Sequence, residues 1–149
     1  MTTITHSAQE TKAIAANLAQ ELQGGEFISL IGDLGTGKTT FTQGLVSALG
    51  STARVKSPTF TVMNEYPVTS HPSIRRVVHC DLYRFTKASE IGALELYEYR
   101  RPDIVIIAEW PNMLADVDWK PDVIVTLRHG SNEDSCERTI EIERIAENR

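Results

Sequence analysis

The residue pattern of this chain predicts an α/β fold, a three-layer sandwich around a largely parallel central sheet with an antiparallel edge. Three observations carry that expectation. Strand-like and helix-like segments alternate along the chain. Residues 104–108 are continuously apolar, and 123–127 are apolar but for Thr126, as strands are when both faces of their sheet are covered. Residues 27–31, which read as a buried strand, lead through a glycine-rich turn straight into a helical segment.

Residues 2–5 suit a short edge strand. Ser7 followed by Glu10 is a capping-box pattern. It opens a helix that runs to about residue 22, with Ile14, Leu18 and Leu22 on one face, and Gly24-Gly25 stops it. The strand at 27–31 and the helix at 38–49 follow, and Gly50 closes that helix. Residues 51–59 read as irregular. The β-formers Phe60, Val62 and Tyr66 predict a strand over 59–66, then a loop over 67–73. Residues 75–81 predict a strand that ends in a carboxylate, Asp81. Ile91, Leu94 and Tyr97 fall at helical spacing and predict a helix over 87–100, whose C-terminus Arg100 and Arg101 would favour electrostatically. After the two apolar strands, residues 139–143 alternate, as a half-exposed strand near an edge does. No repeat, low-complexity run or linker interrupts the pattern, so residues 1–149 are expected to form one domain.

Composition narrows the function classes. The chain has 149 residues, 41% hydrophobic and 23% charged, which is ordinary for a soluble globular protein. A net charge of −5 argues against a stand-alone nucleic-acid binder, which needs a basic excess to neutralise phosphates. No apolar stretch reaches the length that spans a bilayer, and the first residues lack a signal-peptide pattern, so no membrane association and a cytoplasmic location are expected. Cys80 lies in an apolar strand and reads as a small buried hydrophobe. With Cys136 it makes neither an expected cytosolic disulfide nor a zinc site.

The chemistry starts at Gly32-Asp33-Leu34-Gly35-Thr36-Gly37-Lys38-Thr39, which fits the phosphate-binding P-loop pattern and makes the fold a P-loop NTPase sandwich. Glycines let the backbone close around phosphate oxygens, and successive N–H groups at a helix start point at the anion. Asp33, Leu34, Gly35, Thr36, Gly37, Lys38, Thr39 and Thr40 are therefore the expected nucleotide contacts. For Asp33, at a variable position of the loop, a turn role in which it bonds nearby backbone N–H groups is the stronger expectation. Lys38 would bridge the β- and γ-phosphates, and the Thr39 hydroxyl would ligate Mg²⁺.

Hydrolysis needs two further groups, a carboxylate on the metal side and a group that orients water. Ligands in open α/β sheets lie at the carboxyl ends of the strands. Glu109 follows the run 104–108, and Asp81 ends the strand before it, so these two carboxylates are the candidates; the residues alone leave open which takes which role. Trp110 packs either beside the nucleotide or into the core. Thr59 and Thr61 lie in Lys56-Ser57-Pro58-Thr59-Phe60-Thr61, where P-loop proteins often place a switch that senses the γ-phosphate. Arg84 follows Asp81 by three residues and faces either phosphate or an acid. His79 is read as structural and is given no catalytic task.

Taken together, these segments resemble the TsaE family, the P-loop ATPase subunit of bacterial tRNA threonylcarbamoyladenosine synthesis. The matching pieces are Gly32 to Thr40, Lys56 to Thr61, Asn64-Glu65-Tyr66, His79-Cys80-Asp81-Leu82-Tyr83-Arg84 and Glu109-Trp110-Pro111, in the family's order and spacing. The resemblance spans residues 32–111. It implies ATP as substrate with Mg²⁺, Thr39 and Glu109 on the metal side, Asp81 as important for hydrolysis, and Thr11 near the adenine. It also implies a two-protein transferase partner of the TsaB and TsaD type. That complex modifies adenosine 37 of ANN-decoding tRNAs, so tRNA is engaged indirectly and ATP turnover supports repeated cycles. The family usually has alanine at the place of Thr36, where only backbone contacts are expected.

Two other classes use the same loop. A small-molecule kinase would need a lid and a substrate pocket, for which the short connections leave little room. A nucleotide-gated scaffold would bind without hydrolysis. A GTPase lacks support, since Thr86-Lys87-Ala88-Ser89 has no guanine-reading aspartate. No convincing arginine finger stands out, so hydrolysis by the isolated chain is expected to be slow and raised by partners.

Overall fold

A computed structural model describes residues 1–33, 35–56, 63–81, 96–109, 120–131 and 136–145. The elements are β1 (Thr2–Thr5), α1 (Ala8–Glu21), β2 (Phe27–Gly32), α2 (Lys38–Ala48), β3 (Met63–Pro67), β4 (Arg76–Asp81), a 3₁₀ turn (Leu96–Tyr99), β5 (Ile104–Glu109), β6 (Val123–His129) and β7 (Arg138–Arg144). All seven strands form one sheet in the order β1-β7-β6-β2-β5-β4-β3.

The four central strands, β6, β2, β5 and β4, run parallel. Both flanks are antiparallel: β7 pairs with β6 and β1 with β7 on one side, and β3 with β4 on the other. Connection length decides this. Only a few residues join β3 to β4 or β6 to β7, which allows a hairpin but not the crossover that parallel pairing requires. The alternating segment at 139–143 lies in β7, one strand in from the edge.

Helices α1 and α2 pack against each other and cover one face of the sheet. Leu18, Leu22, Phe41 and Leu45 meet Ile28, Leu30, Val105 and Ile107 there. The buried stripe of α1 is Thr11, Ala15, Leu18 and Ala19, while Ile14 is only partly buried at its flank. Close packing explains the small residues. A Cβ on Gly44 of α2 would stand 2.7 Å from Lys12 Cα of α1, so only glycine allows this approach. The opposite sheet face is buried as well, at Phe27, Val78, Cys80, Ile104 and Ile106. That is why β5 reads as an unbroken apolar run. Burial pushes the Cys80 thiol up to about 12, so it stays protonated.

Two sequence expectations change. Of the strand at 59–66, the described part begins at Met63 and extends through Pro67. Proline is tolerated there because β3 is an edge strand. Of the helix at 87–100, only the tail is described, and Leu96–Tyr99 is a 3₁₀ turn. Arg100 and Arg101 therefore do not cap an α-helix. The Arg100 guanidinium lies over the Phe27 ring, 5.6 Å from its centroid, and 4.0 Å from Asp122. Arg101 pairs with Asp103 at 3.7 Å. Among the described residues no helix is long and apolar enough to cross a membrane.

Candidate functional site

The central strand β2 delivers the chain to the rim of the sheet at Gly32, and α2 leaves that rim at Lys38. The loop between them is closed from within. Thr36 donates both its backbone N–H (3.3 Å) and its hydroxyl (2.7 Å) to the Asp33 carbonyl. Asp33 thus serves the turn through its main chain. The Thr36 side chain is buried and does more than the backbone contact expected of it. Gly37 sits at φ +103°, a left-handed conformation that L side chains resist, and its carbonyl accepts the first helical bond from Phe41 N–H at 2.8 Å. Among the described residues no side chain caps the start of α2. A helix start without its own cap presents its N–H groups and positive dipole end to an anion. Thr39 and Thr40 occupy that first turn, both partly exposed.

Register places the carboxylates. Asp81 is the parallel-sheet partner of Glu109, at the ends of adjacent strands. Glu109 shares a sheet face with Val105 and Ile107, and Asp81 with Val77; these apolar residues belong to the core under α1 and α2. Side chains alternate along a strand, so both acids point to the side of the sheet from which α2 rises. Glu109 is 5% exposed. Its Oε1 stands 3.8 Å from Lys38 Nζ, which also donates to the Gly32 carbonyl at 2.7 Å. Its Oε2 stands 2.9 Å from Nε2 of fully buried His79. A carboxylate only accepts, so Nε2 carries the proton in this bond. The structure thus brings Lys38, Glu109 and Asp81 to one rim, where α2 with Thr39 begins, and adds His79, which the sequence reading left idle. The available signal was parity: His79 is a polar ring on the same side of its strand as Asp81.

Two other contacts escaped the sequence. Arg138, at the start of β7, donates from Nη2 to the Gly35 carbonyl at 3.1 Å and so ties the loop to the far hairpin. The Tyr66 hydroxyl donates to the Lys56 carbonyl (3.2 Å) and accepts from the Lys56 N–H (3.3 Å). That contact joins two segments that the sequence reading matched separately. Thr11 sits in the first turn of α1, buried, with its hydroxyl 2.9 Å from that of Thr5. Leu34, Thr59, Thr61, Arg84 and Trp110 lie outside the described residues.

The site's donors fit a magnesium–phosphate group. Mg²⁺ commonly takes one or two protein oxygens and completes its shell with phosphate and water. The rim offers the Glu109 carboxylate and the hydroxyl of Thr39 in the uncapped turn. Among the described residues no cluster of three or more His, Cys, Asp or Glu forms an all-protein metal cage. A cavity of about 990 Å³ opens at the opposite rim, lined by Gly24, Glu26, Arg100, Asp122 and Arg144 among others. Its charged groups hold one another and the backbone: Arg144 pairs with Glu21 at 2.6 Å, Asp122 accepts from Phe27 N–H, and Glu26 accepts from Gln23 and Gly24 N–H. Size alone does not make it the chemical site.

Comparison with known proteins gives one answer. The family model described as threonylcarbamoyl adenosine biosynthesis protein TsaE matches residues 5–140. The tRNA threonylcarbamoyladenosine biosynthesis protein TsaE of Bacillus subtilis (strain 168) is 40% identical over 112 residues, covering 75% of this chain and 67% of that one. Its counterpart in Rickettsia bellii (strain RML369-C) is 35% identical over 127 residues, covering 85% of each. The crystal structure of Bacillus subtilis YdiB superposes with a TM-score of 0.73 at 27% identity, covering 98% of this chain and 86% of that one.

Proposed function

This chain belongs to the TsaE family of threonylcarbamoyl adenosine biosynthesis, and we propose that it is a Mg²⁺-dependent ATPase that sustains turnover of a partner transferase complex of the TsaB and TsaD type. The observation that carries this reading is the convergence of Lys38 Nζ and Glu109 Oε1, 3.8 Å apart, beside the uncapped start of α2.

The first-turn N–H groups of α2 and the Lys38 ammonium bind the β- and γ-phosphates of ATP. Thr39 and Glu109 would hold Mg²⁺, which would supply positive charge to offset the negative charge of the phosphates. Asp81, one strand away from Glu109, orients a water for attack on the γ-phosphorus. The P–O bond to ADP then breaks and the water's proton leaves towards Asp81. Lys38 stays close to the leaving phosphate oxygens throughout and needs no proton transfer. The fit is electrostatic and positional, which is how most phosphoryl transfer is accelerated.

The net charge of −5 suits a subunit that reaches tRNA through protein partners. The test is phosphate release from ATP by the chain alone, then with the two partner proteins and tRNA. The expected outcome is slow release alone and faster release in the assembly. Full-rate release by the chain alone would contradict the dependence on partners. Phosphate appearing on a metabolite would point to a kinase, and ATP binding without any release would point to a scaffold.

A further inference from the structure

His79 is a fully buried polar ring in the wall beneath the proposed catalytic rim. It lies on β4 between Val77 and Asp81 in side-chain parity, and its register partner on β5 is Ile107. Its described neighbours include the apolar Val77 and Ile107, and the Tyr66 ring centroid is 6.4 Å away. A branched aliphatic residue would fill such a place in a parallel strand without burying polar atoms. Among the described residues the ring gets one hydrogen bond in return, Nε2–H to Glu109 Oε2 at 2.9 Å. Its Nδ1 is buried with no hydrogen-bond partner among the described residues.

We propose that His79 is a positioning residue for Glu109: it binds Oε2 from below and thereby turns Oε1 towards Lys38 and the metal side of the loop. The inference rests on the reading of the rim as a metal–nucleotide site. A carboxylate at a strand end has rotatable torsions and two equivalent oxygens. Fixing one oxygen to a ring locked in the core removes that freedom before any ligand arrives. Groups that hold a ligating carboxylate in this way commonly change metal affinity by about 10-fold or more when removed. Lys38 approaches the other oxygen, so the three side chains form a line from the core to the phosphate position.

The test separates metal binding from folding and from nucleotide binding. Mn²⁺ affinity is measured by electron paramagnetic resonance with a non-hydrolysable ATP analogue present, and binding of a fluorescent ATP analogue is measured in EDTA. His79→Leu is expected to weaken Mn²⁺ about 10-fold and to leave binding in EDTA nearly unchanged. His79→Gln, whose amide N–H reaches the position of Nε2, is expected to retain most of the affinity. In a Glu109→Ala background, His79→Leu should weaken Mn²⁺ no further. A purely structural histidine would shift the melting temperature and leave Mn²⁺ affinity at the parent value, which would overturn the inference. An equal additional loss in the Glu109→Ala background would overturn it too. Should His79→Leu fail to fold, His79→Asn takes its place, since its shorter amide does not reach Glu109; equal Mn²⁺ affinity for the Asn and Gln variants would overturn the inference. A parent chain that takes up no Mn²⁺ alongside nucleotide would overturn the functional reading and this inference with it. Parent uptake with His79→Leu unchanged would overturn this inference alone.

Discussion

Helix α1 begins under a cap, and helix α2 begins without one. Ser7 accepts from the Glu10 N–H at 3.1 Å, and its own hydroxyl reaches the Glu10 carboxylate at 3.4 Å. One of the first-turn N–H groups of α1 is thus satisfied by its own sequence. At α2 the corresponding place is Gly37, which has no side chain to offer and holds a left-handed conformation. Both helices cover the same sheet face and pack on each other. Their starts differ in what they leave open: a side chain caps α1, while α2 leaves its N–H groups for the anion that the proposed function requires.

The comparison can be broken in three places. The largest effect is expected at Lys38, the cation over the uncapped start. Lys38→Ala should weaken ATP binding by about 2–4 kcal/mol, roughly 30- to 1,000-fold, and abolish turnover. Calorimetry checks it, and unchanged affinity would remove the phosphate assignment. Gly37→Ala comes next. A side chain at that φ costs about 1–2 kcal/mol, so thermal unfolding should show a melting temperature lowered by a few degrees. ATP affinity should fall with it, because the relaxed loop no longer presents the same N–H groups. The smallest effect is expected at the capped start. Ser7→Ala should cost about 1 kcal/mol of stability and leave ATP affinity unchanged. A Ser7→Ala variant that loses affinity as Gly37→Ala does would erase the distinction between the two starts.

Much of the fold was legible along the chain, because local periodicity and turn chemistry already specify strands and helices. The apolar runs of β5 and β6, the capped start of α1 and the strand–loop–helix over 27–48 stand where the pattern puts them. The 3₁₀ turn at Leu96–Tyr99 was not legible: three residues at helical spacing fit either kind of turn, and only backbone hydrogen bonding tells them apart. The second antiparallel flank at β3 depends on a hairpin that the placing of a loop only hinted at. In the site, Lys38, Asp81 and Glu109 could be picked out because each ends or starts an element. The contacts of His79 and Arg138 could not, since their partners are set by how separate elements meet.

By itself, then, the sequence determined the phosphate loop, the two strand-end carboxylates and the family they belong to, because these rest on residue type at fixed local spacing. Tertiary structure decided the rest. Parallel register put Asp81 opposite Glu109. The burial of one strand face put His79 under the carboxylate. The return of β7 across the sheet brought Arg138, more than a hundred residues away, onto the Gly35 carbonyl. Contacts of that kind come from the packing of distant segments, and no window of sequence contains both partners.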